Sequence, residues 1–202
     1  MPDGTVLDIE TPHGPARARV TKVRGAAGAV VLGHGAGGGV GAPDLVIAAE
    51  VAQAEKLSVA LVEQPYRVAG RRSPAPAAQL DTAWIAVVAH LRATTFKRVP
   101  IVCGGRSSGA RVACRTSADA GAMGVLCLAF PLHPPGRPEK SRLEELDAVS
   151  VPVLVVQGAS DPFGMPPPGP SRTVVTVKGN HSLRSDRDAI RTAVRGWLPE
   201  VL

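Results

Sequence analysis

The sequence predicts an α/β domain of three layers: a mostly parallel sheet covered by helices on both faces, with an N-terminal antiparallel hairpin. Three observations predict it. Short, continuous apolar runs recur along the chain, the pattern of strands buried on both faces. Between them stand apolar stripes of helical period. Stretches rich in glycine and proline follow the runs, as loops do at the sheet edge where such folds bind ligands. At 202 residues, 45% hydrophobic and 20% charged, the chain fits one domain over 1–202 with a sizeable core. Aromatic residues are only 3%, so that core must be built from Ala, Val and Leu.

Residues 5–10 and 16–23, parted by TPHGP, form the expected hairpin. The apolar runs predict strands at 29–33, 58–62, 99–103, 124–130, 153–157 and 173–177. Leu45, Ala48, Ala49 and Ala52 make the first helical stripe, and Leu80, Trp84, Val87, Val88 and Leu91 the second. A third comprises Ala189, Ile190, Ala193, Val194 and Trp197, with Ser185 and Asp188 as its capping pair. Both tryptophans thus read as core. Stretches 65–76, 131–138 and 162–170 read as loops at the C-terminal edge of the sheet.

Several function classes fall away. No apolar run approaches the roughly 20 residues of a bilayer span. The start, MPDGTVLDIETPHG, lacks the pattern of a signal peptide, so a cytoplasmic protein with no membrane role is expected. Cys103, Cys114 and Cys127 form no C-x-x-C pair and read as small buried hydrophobes rather than disulfide or metal ligands. The net charge of +6 raises the question of nucleic acid, but only five of the 23 basic residues are lysines and the arginines are scattered. With few aromatics to stack on bases, an arginine-rich solvated surface is the reading, and no nucleic-acid partner is expected. Neither an H-E-x-x-H nor a P-loop pattern occurs, so no metal and no organic cofactor is expected.

The chemistry gathers at four strand ends. The run at 99–103 leads into Gly104-Gly105-Arg106-Ser107-Ser108-Gly109 and then the helix-like ARVACRTSA. Gly105, Ser107 and Gly109 match G-x-S-x-G in the strand–turn–helix setting it requires, which exposes the serine hydroxyl at a helix N-terminus. Asp161 follows the strand at 153–157, and His181 the strand at 173–177. Nucleophile, acid and base thus occur in hydrolase order, each beyond a separate strand. Ser107, Asp161 and His181 are the predicted triad. His133 is a rival base, but it precedes the acid.

The fourth end is VVLGHGAGGGVGAP, residues 30–43. Gly33, Gly35 and Gly38 match the dinucleotide pattern G-x-G-x-x-G, and Glu63 stands where a ribose-binding carboxylate would. That pattern needs a helix starting at its third glycine, whereas here the helix is postponed to about Pro43. It also leaves the triad unexplained. The preferred reading is an oxyanion loop, with the N–H groups of Ala36 and Ser108 as donors.

The stretches LGHGAGG, GGRSSGARVA, VLVVQGASDPFG and VKGNHSL resemble the serine α/β-hydrolases, in particular the short lidless bacterial hydrolases related to dienelactone hydrolase. The resemblance covers nearly the whole chain and implies the α/β-hydrolase fold. It implies two-step acyl transfer on a small ester or thioester by Ser107, His181 and Asp161, with Ala36 and Ser108 binding the oxyanion. In dienelactone hydrolase proper the nucleophile is a cysteine; here it is Ser107, so that substrate is not carried over. EQPYRVAGRRSP and FPLHPPGRPEKSR look like the signature of an uncharacterised branch.

Only residues 131–150 separate two strands where a cap would be inserted, too few for a sizeable lid. An open, shallow mouth favouring short acyl groups follows. Arg67, Arg71, Arg72 and Arg106 lie on loops near the site and raise the prospect of an anionic substrate, with His34 and Gly35 as further substrate-binding candidates. His34 also reads as a shaper of the oxyanion loop. Homodimerisation stays open, and a catalytically silent scaffold on the same fold is the alternative.

Overall fold

The computed structural model describes residues 4–202. Eight strands form one sheet: β1 (Thr5–Ile9), β2 (Ala16–Thr21), β3 (Ala29–Gly33), β4 (Ser58–Glu63), β5 (Ile101–Arg106), β6 (Gly124–Leu128), β7 (Val153–Gly158) and β8 (Arg172–Val177). Their order is β1-β2-β4-β3-β5-β6-β7-β8. The β1–β2 hairpin is antiparallel and β2 also pairs antiparallel with β4; every other pairing is parallel. The helices are α1 (Pro43–Ala54), α2 (Pro65–Val68), α3 (Ala77–Thr94), α4 (Ser108–Arg115), α5 (Leu143–Asp147) and α6 (Arg187–Val201).

Successive strand residues divide between two cores because side chains alternate across a sheet. Val31, Cys103, Cys127 and Val155 pack with Trp84, Val87 and Leu91 of α3 and with Val112 and Ala113 of α4. Val30, Leu32, Val102, Leu126 and Val156 pack on the other face with Leu45 and Ala48 of α1 and Ile190, Val194 and Trp197 of α6. This is the three-layer arrangement the sequence predicts, and the three apolar stripes are its helix faces.

Four details differ. Strand β5 does not stop at Cys103 but runs through both glycines to Arg106. A Cβ on Gly104 would strike the Leu126 carbonyl, so glycine here permits close strand approach rather than a turn. Strand β6 ends at Leu128, two residues early, because Ala129 takes a positive φ of 51°. The stretch 65–76 contains α2, and α5 lies in the segment after β6; both are too short for a periodic stripe. The N-terminus of α6 is capped by Asp186, whose carboxylate accepts from the Ala189 N–H at 3.2 Å. Ser185 is not the cap: it packs against Gly179.

Candidate active site

Ser107 occupies the single residue between β5 and α4, at φ 52° and ψ −110°. A non-glycine residue rarely adopts that backbone, and here the surrounding packing imposes it. A Cβ on either Gly105 or Gly109 would lie 2.5 Å from the Gly33 carbonyl oxygen. Side chains at those positions would force β3, β5 and α4 apart, so the two glycines let the turn close while Ser107 stands at its tip.

His181 and Asp161 arrive on neighbouring loops. His181 Nε2 lies 3.0 Å from Ser107 Oγ, and His181 Nδ1 lies 2.9 Å from Asp161 Oδ2. With Nδ1 facing a carboxylate, the Nδ1–H tautomer is the one these partners select, leaving Nε2 to accept from the serine. Gly158 brings the loops together: a Cβ there would meet the Asn180 carbonyl at 2.5 Å. The Asp161 side chain is 1% exposed. Its Oδ1 accepts from the Phe163 N–H at 2.9 Å, and the Phe163 ring lies over His181 with centroids 4.2 Å apart. His133 instead turns its Nδ1 to the Pro134 carbonyl at 2.9 Å.

Gln157 and Phe163 were not anticipated. The Gln157 side chain is fully buried, and its amide nitrogen lies 2.9 Å from Asp161 Oδ2, 3.0 Å from the Phe130 carbonyl and 2.8 Å from the Gly164 carbonyl. The visible signal was a glutamine inside the otherwise apolar run VLVVQG, since buried polar groups need partners.

Across the serine lies the loop at 34–39. His34 is 3% exposed and both ring nitrogens are engaged: Nδ1 with the Gly35 carbonyl at 2.8 Å, Nε2 accepting from the Gln64 N–H at 3.1 Å. Burial holds its pKa below the ordinary histidine range. No ring nitrogen is left for a substrate, so His34 shapes the loop. Tyr66 donates its hydroxyl to the Ala36 carbonyl at 3.0 Å and sets its ring edgewise to His34. A Cβ on Gly35 would lie 3.5 Å from Ser107 Cβ, so the loop passes directly against the serine. Among the described residues, neither the Ala36 nor the Ser108 N–H has a protein acceptor.

Arg106 joins the two sides. Its Nη2 donates to the His181 carbonyl at 3.0 Å, and its Nε lies 2.9 Å from Asp44 Oδ2. The Asp44 side chain is wholly buried, and its other oxygen accepts from the Leu45 N–H at 3.0 Å. Burial pushes the Asp44 carboxyl up, against the pull of Arg106 in the other direction. Arg67 bonds back to the Arg71 carbonyl at 3.3 Å, and Arg71 lines a cavity of about 80 Å³ with His13 and Tyr66. The larger cavity beside the site, about 500 Å³, is lined by Arg106 and by Arg184, which was not anticipated.

The cysteines are buried and unbonded, Cys114 and Cys127 with sulfurs 3.5 Å apart. Burial pushes the Cys103 thiol up to about 12, far from a reactive thiolate. Among the described residues, no cluster of three or more His, Cys, Asp or Glu is arranged to hold a metal ion, and no helix is long and apolar enough to cross a membrane.

An eight-stranded, mostly parallel sheet with a strained serine between strand and helix defines an α/β-hydrolase. Residues 26–194 match the family described as Alpha/beta hydrolase domain, and the chain belongs to that family. The fold is shared with an α/β serine hydrolase without lid from Xanthomonas campestris, at TM-score 0.75 and 21% identity, covering 98% of this chain and 97% of that one. Dienelactone hydrolase from Anabaena variabilis aligns at TM-score 0.73 and 17% identity, over 98% of this chain and 95% of its own. Est1E from Butyrivibrio proteoclasticus, solved with ferulic acid bound, aligns at TM-score 0.79 and 15% identity, over 96% and 98%. Family and fold together support a hydrolase, one with no sizeable cap. The dinucleotide reading of the glycine loop falls with that assignment.

Proposed function

We propose that this protein is a serine esterase or thioesterase acting on a small acyl substrate through Ser107, His181 and Asp161. The observation that carries the reading is the unbroken chain from Ser107 Oγ to His181 Nε2 at 3.0 Å and from His181 Nδ1 to Asp161 Oδ2 at 2.9 Å.

The mechanism follows from that chain. His181 takes the hydroxyl proton as Ser107 Oγ attacks the substrate carbonyl carbon, and Asp161 steadies the imidazolium that forms. The N–H groups of Ala36 and Ser108 stabilise the oxyanion of the tetrahedral intermediate. His181 then gives its proton to the leaving alcohol or thiol, and an acyl-serine remains. Water attacks that ester with His181 again as base, releasing the acid and restoring the serine.

The segment between β6 and β7 supports a preference for short acyl groups. Its one helix, α5, is held back on α4 by Glu145, which pairs with Arg111 at 2.5 Å and Arg115 at 3.2 Å. A long lipid chain needs an apolar tunnel, and a segment tied down in this way does not build one.

A fluorophosphonate probe tests the assignment, because only an activated serine is labelled. Stoichiometric labelling at Ser107, abolished in Ser107→Ala with an unchanged melting curve, is the expected result. A folded protein that resists the probe would leave a silent scaffold, and labelling that persists in Ser107→Ala would move the nucleophile elsewhere.

A further inference from the structure

The cavity of about 500 Å³ beside the serine is lined by Gly37, Gly38, Gly39, Gly41, Ala42, Pro43, Arg106, Ser182 and Arg184. It borders the site on both sides, since Gly37 follows Ala36 and Ser182 follows His181. Arg106 Nη1 and Ser107 Cβ lie 3.0 Å and 3.5 Å from the same point, the Cβ position of Gly35, so they stand within about 6.5 Å of each other. That is the reach of a short acyl chain. We propose that this cavity is an anion subsite, which receives a carboxylate at the far end of a short acyl group whose ester carbonyl sits at Ser107. The proposal rests on the hydrolase reading and names its substrate class.

Three features support it. Arg106 keeps guanidinium hydrogens on Nη1, since its Nε faces Asp44 and its Nη2 the His181 carbonyl. Arg184 is exposed and has no carboxylate partner among the described residues. The loop glycines are not required by packing. A Cβ on Gly37 or Gly39 would meet nothing within 4 Å, and neither residue has a positive φ. Bare backbone there leaves room for a ligand to approach, where side chains would fill the mouth.

The charges decide which anion. Buried Asp44 offsets one of the two arginines, and among the described residues no carboxylate lines the cavity itself. One net positive charge matches a monoanionic carboxylate better than a phosphate dianion. The helix α1 N-terminus adds nothing, because the Asp44 carboxylate already accepts its Leu45 N–H.

The test compares the mono-p-nitrophenyl ester of glutarate with its methyl-capped, uncharged counterpart. The charged ester is expected to have the higher kcat/KM at low salt, with a KM that rises as salt is added. Arg184→Glu should lower the charged-to-neutral ratio of kcat/KM about tenfold through KM, whereas Arg187→Glu, the same change of charge on exposed α6, should leave the ratio as it was. A wild-type ratio near one, or a ratio unmoved by Arg184→Glu, overturns the subsite alone and leaves the hydrolase. Titration of glutarate into Ser107→Ala, followed by NMR, separates the other case. Saturable binding that Arg184→Glu weakens, where the wild-type protein itself hydrolyses neither ester, keeps the subsite and removes the hydrolase. Absence of both binding and hydrolysis removes both.

Discussion

The two sides of Ser107 are built differently. On the side of His181 the network is dense: Asp161 is held by His181, Gln157 and the Phe163 N–H, and His181 by Asp161, Arg106 and the Phe163 ring. On the other side, three consecutive glycines carry the loop, and His34, Gln64 and Tyr66 pin it from below. In the proposed mechanism the groups that move protons need one geometry, and a dense network supplies it. The part that would meet substrate in that mechanism is bare backbone with room around it. Pre-organisation and accommodation are thus divided between two loops on one sheet edge.

The division can be broken most severely on the dense side. Asp161→Asn should lower kcat by roughly 10⁴, as loss of the orienting carboxylate does in serine proteases, and His181→Ala by at least as much. His133→Ala should change little. Steady-state kinetics on a short p-nitrophenyl ester would decide, and an active His181→Ala variant would overturn the assignment of the base.

Arg106 ties the two sides together, so its removal should cost stability as well as rate. Arg106→Leu would strand the wholly buried Asp44 carboxylate, a loss of about 3–5 kcal/mol for a broken buried pair. Urea unfolding should show the midpoint falling sharply, with much of the loss restored in the double variant Arg106→Leu/Asp44→Asn.

A finer cut removes the amide behind the acid. Gln157→Leu deletes the donor to Asp161, and a hydrogen bond to a charged group contributes roughly 1.5–3 kcal/mol. The expected signature is a kcat lower by about 10- to 100-fold with KM nearly constant. A variant that is merely less stable, with kcat intact, would make Gln157 structural only.

The smallest effect belongs to the open side. Burial lowers the pKa of His34 below the ordinary 6.5. Above that value neither folded nor unfolded chain holds the proton, and the stability from the neutral ring is present in full. As pH falls below about 6.5 the unfolded chain takes up a proton that the folded one refuses, so stability is lost toward the lower folded value. Unfolding midpoints measured from about pH 8 down to pH 5 should therefore fall more steeply in the wild type than in His34→Asn. Parallel slopes would mean that His34 carries no such linkage.

Much of this architecture was legible before any coordinates. Parallel strands buried on both faces must be continuously apolar, so 29–33 and 153–157 announced themselves almost to the residue. Amphipathic helices show their buried stripe, which is why Leu80, Trp84, Val87 and Leu91 were readable as core. Ser107, Asp161 and His181 were readable because each follows a strand, and parallel strands deliver their C-terminal ends to one edge. Local signals were ambiguous where two physical causes share one residue type. Gly104 and Gly105 looked like a turn, yet they lie within β5, because glycine serves close strand approach as well as sharp bends. Ser185 looked like a cap, but Asp186 one residue later has the oxygen in reach of the Ala189 N–H.

What the chain order could not reveal is which side chains meet across the sheet edge. Arg67, Arg71 and Arg184 are all arginines in segments that follow strands, alike in sequence. Only the packing bonds Arg67 back to the Arg71 carbonyl and sets Arg184 beside Arg106, over a cavity whose walls come from segments far apart in the chain, 37–43 and 182–184. Gln157 likewise became a partner of Asp161 only when the loop after β7 folded its carboxylate back over the strand. The order of strands and helices, and the placing of Ser107, Asp161 and His181 just beyond strand ends, follow from local signals and were legible in the sequence. The hydrogen-bond partners and the charge around the serine depend on long-range contacts, which the tertiary structure alone decides.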